Sequence, residues 1–130
     1  MDQMIFVNLP VTDLAASRRF YTGLGFTVNE DFSDEQVACI VVSETIYVML
    51  LDRDRFAEFV DLPVADPSTS TGQITALSAE SADAVDDLVA RALAHGGTAR
   101  APIADDAMYG QTFADPDGHV WEAFYMPVPG

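Results

Sequence analysis

Apolar and polar residues along the chain alternate between spacings typical of strands and of helices. Residues 4–11 form a short apolar run with β-branched members, which predicts a strand. Thr12 or Asp13 then supplies an N-cap for a helix that we expect to end near Gly23 or Gly25. Three further strands are predicted, separated by short polar turns, at 26–32, 37–43 and 46–52. The first half therefore predicts the order β, α, β, β, β.

The second half repeats this order after a polar connector. Residues 53–73 begin as a short helix and continue in Pro, Ser, Thr and Gly, a composition typical of a connector. Ser81 caps a second helix with apolar residues at helical spacing, and Gly96-Gly97 ends it. Strands are expected around this helix at 73–79, 98–103, 109–114 and 119–126, the last two joined by the turn 115–118.

The chain length and the repeated order of elements predict the fold class and the domain organisation. A chain of 130 residues that is 49% hydrophobic suits one compact domain. A four-stranded sheet with one helix leaves an open face, so two such units are expected to enclose a cavity for a small molecule. We therefore predict an α+β domain over 1–130 with a curved mixed sheet around a cavity. Its parts are a βαβββ module at 1–60, a connector at 61–72 and a second βαβββ module at 73–130.

The charge and the cysteine content limit the classes of partner and the cellular location that we expect. The chain has 21 acidic residues, six arginines and no lysine, for a net charge of −15, so binding to nucleic acid or to an anionic membrane is not expected. No apolar stretch approaches the about 20 residues of a membrane span. The amino terminus lacks the features of a signal peptide, and Cys39 has no cysteine to pair with, so we expect a cytoplasmic, reduced protein.

Two motifs carry a family resemblance. The first is V-T-D-L-A-A-S at 11–17, followed by Phe20-Tyr21 and L-G-F at 24–26; the second is F-A-D-P-D-G at 113–118, followed by Trp121-Glu122. Together they resemble the vicinal oxygen chelate superfamily, which includes glyoxalase I, extradiol dioxygenases, fosfomycin-resistance thiol transferases and bleomycin-resistance proteins. The resemblance implies paired βαβββ modules and the glyoxalase/bleomycin-resistance fold. In the family's enzymes it also implies a divalent metal that polarises neighbouring substrate oxygens.

The family's four metal-ligand positions fall on residues that mostly cannot bind such a metal. By the resemblance they are Phe6, Met49, Ile74 and Glu122. Only Glu122 offers a donor suited to Mn²⁺, Fe²⁺, Ni²⁺ or Zn²⁺, because a thioether suits softer ions such as Cu(I). A two-residue shift that brings in Asn8 does not restore the set. His95 and His119 are expected to be structural, so we predict no bound catalytic metal and no cofactor.

The expected cavity lining favours capture of an apolar or aromatic molecule. Besides Phe6, Met49 and Ile74, it would include Asn8 and Tyr47 as polar groups, Phe124 on the last strand and Tyr109 stacking at the mouth. The alternative is that these side chains only fill the sheet's interior.

Glu122 and Cys39 are the candidate reactive groups. Glu122 is expected to point inward with Val120 and Phe124, as a general base or a ligand anchor, or to pair with Arg53 or Arg100. Cys39, among aliphatic neighbours, is expected to be a buried strand residue rather than a nucleophile.

These observations lead to two competing functions. The first is a metal-independent, homodimeric binding protein for a small molecule, similar in architecture to bleomycin-resistance proteins. The alternative is a glyoxalase-like lyase, isomerase or dioxygenase with a divalent metal. A narrower option is a metal-free acid-base enzyme in which Glu122 is the catalytic residue.

Overall fold

The chain folds into two compact units. The computed structural model describes residues 2–101 and 107–127, and the units span Met1–Asp66 and Pro67–Gly130. The boundary falls within the predicted connector at 61–72. Each unit contains one four-stranded mixed sheet and one main helix, so the second unit repeats the element order of the first.

The first unit is built on a sheet with the strand order β1-β4-β3-β2. Its elements are β1 (Ile5–Val11), α1 (Leu14–Gly23), β2 (Thr27–Val28), β3 (Val37–Val41), β4 (Ile46–Asp52) and the short α2 (Arg53–Ala57). Strands β1 and β4 run parallel, and the other pairs are antiparallel. Helix α1 begins at one of the two predicted caps, because the Asp13 carboxylate accepts a hydrogen bond from the Ala16 backbone N–H at 3.0 Å.

The second unit has the corresponding strand order β5-β8-β7-β6. Its elements are β5 (Ile74–Ser78), α3 (Ala82–Ala94), β6 (Thr98–Ala99), β7 (Tyr109–Ala114) and β8 (Val120–Tyr125). Helix α3 begins at the predicted cap, where the Ser81 hydroxyl accepts from the Ala84 N–H at 3.0 Å, and His95 follows its last residue. No helix among the described residues is long and apolar enough to cross a membrane.

Two predicted strands are longer than those observed. The strand expected at 26–32 is limited to β2, because the Asn29 side chain accepts from the Asp31 N–H and caps a 3-10 helix at Glu30–Phe32. The strand expected at 98–103 is observed only at β6, and its residues from 102 onward lie outside the described part of the chain. Local side-chain capping therefore replaces extended structure in the first case.

Each sheet buries one face under its helix. In the first unit the buried residues of this face include Leu9, Val11, Ile40, Val48 and Leu50, with Phe20 and Tyr21 from α1. In the second unit Trp121 is 1% exposed, on the face that packs against α3. Because side chains alternate along a strand, the neighbouring positions lie on the opposite, open face of each sheet.

Candidate functional site

Four of the predicted site residues meet on the open face of the first sheet. Phe6 is the register partner of Tyr47, and Asn8 is the register partner of Met49. The rings of Phe6 and Tyr47 stack with their centroids 4.7 Å apart and their planes 11° apart. Phe6 is 47% exposed, so its ring does not merely fill a sealed interior.

These four residues share one cavity within the first unit. Its volume is about 480 Å³, within the size range of small-molecule sites. Its walls are formed by Met4, Phe6, Asn8, Asn29, Phe32, Cys39, Tyr47 and Met49. Three aromatic rings and three sulfur-containing side chains make most of this surface apolar. The cavity is therefore suited to an apolar or aromatic group.

The polar side chains of this cavity are partly satisfied by the protein itself. The Asn8 amide donates a hydrogen bond to the carbonyl oxygen of Phe6 at 3.1 Å. The Tyr47 hydroxyl donates to the carbonyl oxygen of Glu44 at 3.0 Å. The Asn8 amide oxygen has no partner among the described residues, so it is available to accept a hydrogen bond from a ligand.

Cys39 also lines this cavity, although it was not among the lining residues expected from the sequence. Cys39 faces Met49 across the β3–β4 pair, and its side chain is buried. Burial raises the pKa of the Cys39 thiol, because the low-dielectric surroundings disfavour the thiolate. The thiol is therefore a poor nucleophile, as expected. Its place in the cavity follows from the strand register, which the alternating pattern of β3 alone does not give.

A second cavity adjoins the first in the same unit. Its volume is about 370 Å³, and it shares Asn8, Phe32 and Met49 with the larger cavity. Its remaining walls include charged groups, among them Asp31, Asp34 and Arg55. The Arg55 guanidinium is already engaged, since it lies 4.6 Å from the centroid of the Phe59 ring and 3.2 Å from the Glu58 carboxylate. An apolar compartment thus lies beside a polar one.

Three predicted site residues lie on the open face of the second sheet. Ile74 is the partner of Val120, while Glu122 and Phe124 follow Val120 on alternate positions of β8. Ile74 is 60% exposed and Glu122 is half-buried. The structure thus places Glu122, Val120 and Phe124 on one face.

Glu122 has no partner of the predicted kind among the described residues. No ion pair involves Glu122 in this part of the chain. Arg53, one of its two expected partners, instead donates to the carbonyl oxygens of Val64 and Ala65 at 3.0 Å. Arg100, the other, likewise forms no ion pair there.

Tyr109 lies on the face of the second sheet that α3 covers, not on the face that carries Glu122. Its hydroxyl donates a hydrogen bond to the Asp86 carboxylate of α3 at 2.5 Å, and Gln111 donates to both groups. The hydrogen bond to Asp86 raises the pKa of Tyr109. The signal for this placement is present in the sequence, because Tyr109 and buried Phe113 occupy alternate positions of one strand.

The two sheets share one pairing pattern. Phe6 pairs with Tyr47 as Ile74 pairs with Val120, and Asn8 pairs with Met49 as Ala76 pairs with Glu122. When Phe6 and Ile74 are matched, as the family resemblance implies, Met49 and Glu122 occupy corresponding positions in the two sheets.

Comparison with known protein families identifies the fold. The Glyoxalase/Bleomycin resistance protein/Dioxygenase superfamily model matches residues 3–123. The chain belongs to this superfamily. The resemblance to vicinal oxygen chelate proteins and the predicted α+β fold are thereby confirmed. No curated protein matches the chain by sequence.

Solved structures of the superfamily match nearly the whole chain. A glyoxalase-related enzyme from Fulvimarina pelagi is 26% identical, with a TM-score of 0.82 over 98% of this chain and 91% of its own. A hypothetical protein from S. aureus is also 26% identical, with a TM-score of 0.80 over 96% and 94%. An antibiotic-binding protein from a Streptomyces species is 19% identical, with a TM-score of 0.68 and 98% coverage of both chains, and shares the fold.

The superfamily's divalent metal does not fit the residues at the four implied positions. Phe6 and Ile74 have no donor atom, and Met49 offers a thioether. Glu122 supplies the one carboxylate. Among the described residues, no three His, Cys, Asp or Glu side chains are grouped so that they could hold a metal ion. The donor chemistry of this site therefore differs from that expected of the superfamily's metal enzymes.

Proposed function

We propose that this member of the superfamily is a metal-independent binding protein that holds a small apolar or aromatic molecule in the 480 Å³ cavity. The stacked and partly exposed rings of Phe6 and Tyr47 carry the proposal. Covering an exposed ring pair with an apolar surface lowers the free energy, because apolar area is removed from water. An aromatic ligand would also extend the stack.

The donor set supports binding without a metal. One carboxylate and one thioether, in corresponding positions of two sheets, are a poor match for the hard or borderline cations used by the superfamily's enzymes. The Streptomyces neighbour described as an antibiotic-binding protein shows that the fold can serve capture of a small molecule. Ile74 and Phe124, on the open face of the second sheet, remain proposed ligand contacts, and Glu122 on the same face remains a proposed polar anchor.

The oligomeric state and the cellular location are two further proposals. We propose a homodimer, because several large apolar side chains are exposed on the first unit, including Phe59 at 63% and Leu62 at 74%. We propose a cytoplasmic location because the sequence has a single cysteine, as is typical of proteins in a reducing compartment. Light scattering coupled to size exclusion would measure the mass in solution. A purely monomeric protein would contradict the dimer without affecting ligand capture.

A neutral fluorescent probe tests the cavity. N-phenyl-1-naphthylamine brightens in apolar sites and carries no charge for the acidic surface to repel. We expect saturable binding to the wild type and binding at least about threefold weaker in Phe6→Ala, because the stacking partner is lost. Leu62→Ala is the matched control, since it removes an exposed apolar side chain that lines neither the 480 Å³ cavity nor the cavity adjoining it.

Two results would overturn the cavity assignment. One is the absence of saturable binding by the wild type. The other is an equal loss of affinity in Phe6→Ala and Leu62→Ala, which would show that the probe binds exposed apolar surface in general.

Metal analysis separates the proposal from the enzymatic alternative. The purified protein is incubated with Mn²⁺, Fe²⁺, Co²⁺, Ni²⁺ and Zn²⁺, freed of excess metal and measured by elemental analysis. We expect no stoichiometric metal. Near-stoichiometric retention that disappears in Glu122→Ala would contradict the proposal and favour a glyoxalase-like lyase, isomerase or dioxygenase.

A further inference from the structure

The second unit contains a cavity that the proposed function does not use. Its volume is about 490 Å³, and it lies between the segment 67–71, Arg100 and the strand residues Thr112 and Val120. Five of the lining residues carry a hydroxyl group and one carries a guanidinium group. This lining differs in kind from the aromatic lining of the first unit's cavity.

The arginines of this acidic chain differ in their side-chain partners, and both Arg19 and Arg100 lack one among the described residues. Arg18 pairs with Glu30, and Arg55 pairs with Glu58. Arg100 has no ion pair and no side-chain hydrogen bond among the described residues, although acidic residues outnumber arginines 21 to six. Arg100 lines the cavity, and no described protein group accepts a hydrogen bond from the five N–H donors of its guanidinium group.

Two hydroxyl groups add further unused donors. The side chains of Ser70 and Thr112 form no hydrogen bond among the described residues, whereas the Thr71 hydroxyl donates to the carbonyl oxygen of Gln73 at 2.9 Å. Thr112 is half-buried in β7 and lies on the open face of its sheet. A guanidinium group and hydroxyl groups around one cavity form a donor set suited to an oxyanion.

One wall of the cavity is held by a close backbone contact. Gly118 has a φ of +107°, and a Cβ atom built there would lie 2.6 Å from the Pro67 carbonyl oxygen. The turn around Gly118 is fixed because the buried Asp115 carboxylate accepts from the backbone N–H groups of residues 117, 118 and 119 at 2.9–3.0 Å. The segment 67–71 thus rests on a turn that only glycine accommodates.

We propose that this cavity binds the oxyanion group, a carboxylate or a phosphate, of a small molecule, with Arg100 as the charged donor and Ser70 and Thr112 as hydroxyl donors. The net charge of −15 repels polyanions, so the ligand that fits carries a single such group. This cavity shares no lining residue with the aromatic cavity of the first unit, so its test does not depend on ligand capture there.

Glu122 is expected to affect anion binding in the opposite direction to Arg100. Glu122 is the register partner of Thr112 and lies on the same face of the sheet. Side chains in such pairs are about 5 Å apart at their Cβ atoms, so the Glu122 carboxylate repels an anion beside Thr112. Replacing Glu122 by Gln removes this repulsion and is expected to strengthen anion binding, whereas loss of Arg100 weakens it.

Amide NMR spectra of the full chain test the site. The protein is titrated with inorganic phosphate and, separately, with acetate, at constant ionic strength set with sodium chloride. We expect saturable shifts concentrated at residues 68–71, 112 and 118. Saturation with both anions would assign a general oxyanion site, and saturation with phosphate alone would assign a phosphate site.

Two variants and a control decide the outcome. We expect binding to weaken by at least about tenfold in Arg100→Gln and to tighten by at least about twofold in Glu122→Gln. Arg19→Gln is the matched control, because Arg19 is an exposed arginine of α1 outside this cavity. The proposal is overturned if neither anion saturates, if the shifts are spread over the surface, or if Arg100→Gln and Arg19→Gln behave alike.

Discussion

Asp115 offers a direct test of how the D-P-D-G turn is stabilised. Its side chain is 3% exposed, and one carboxylate oxygen accepts three backbone N–H bonds. Hydrogen bonds to a charged acceptor contribute about 1.5–3 kcal/mol each. The three contributions are not fully additive, because the bonds share one oxygen and water can reach the half-buried turn after truncation. We therefore expect Asp115→Ala to lower the free energy of unfolding by about 3 kcal/mol, which is less than the sum of three separate bonds.

A small series separates charge from geometry at this position. Asp115→Asn keeps an acceptor oxygen but loses the charge, which about halves the strength of such bonds, so its cost should be about 1.5 kcal/mol. Asp34→Ala is the matched control, because that exposed carboxylate also accepts two backbone N–H bonds, from Gln36 and Val37. Solvent replaces those bonds readily, and we expect a cost of about 1 kcal/mol or less.

Urea denaturation provides the measurement. Far-ultraviolet circular dichroism and the fluorescence of Trp121, on β8, would report the free energy of unfolding of each variant. A loss of about 3 kcal/mol is large against the 5–15 kcal/mol typical of a domain. The reasoning is refuted if Asp115→Ala costs no more than Asp34→Ala, or if Asp115→Asn costs as much as Asp115→Ala.

Three further predictions concern buried and hydrogen-bonded side chains. Because burial raises the pKa of the Cys39 thiol, its contribution to stability is complete below the thiol's ordinary pKa and is lost as the pH rises through the native pKa. Iodoacetamide at about pH 8.5 should therefore alkylate the native protein far more slowly than the urea-unfolded protein, and equal rates would contradict this. The raised pKa of Tyr109 should fall in Asp86→Asn, as followed by NMR of its ring, and no change would show that the hydrogen bond to the Asp86 carboxylate is not its cause. Trp121→Ala should lower the free energy of unfolding by about 3–5 kcal/mol, and a loss below about 1 kcal/mol in urea denaturation would show that the indole is not part of the core.

The sequence predicts the parts of the fold that depend on local signals. Asp13 and Ser81 cap their helices as expected, because capping is decided within four residues of the chain. The β2 strand ends early because Asn29 forms a local turn, a signal present in the sequence but outweighed there by its apolar neighbours. The repeated element order and the two motifs were sufficient to identify the family.

The sites depend on non-local pairing and are less predictable. Alternation places Phe6 with Asn8, and Tyr47 with Met49, on one face of their own strands, and the family resemblance implied that both pairs line one cavity. The structure brings all four to one cavity. The position of Cys39 opposite Met49 depends on the β3–β4 register, which no local pattern sets. The hydroxyl-rich cavity of the second unit depends on how the segment 67–71 rests on Gly118, and a sequence motif does not reveal that contact.

The shared pairing pattern of the two sheets has an evolutionary consequence. Each unit carries its own hydrogen-bonded sheet and its own buried helix face, so a substitution on one open face leaves the other unit's core intact. Met49 and Glu122 stand at corresponding positions and differ completely in chemistry. Such halves, once duplicated, are free to diverge separately: one can acquire affinity for aromatic rings while the other acquires affinity for charge.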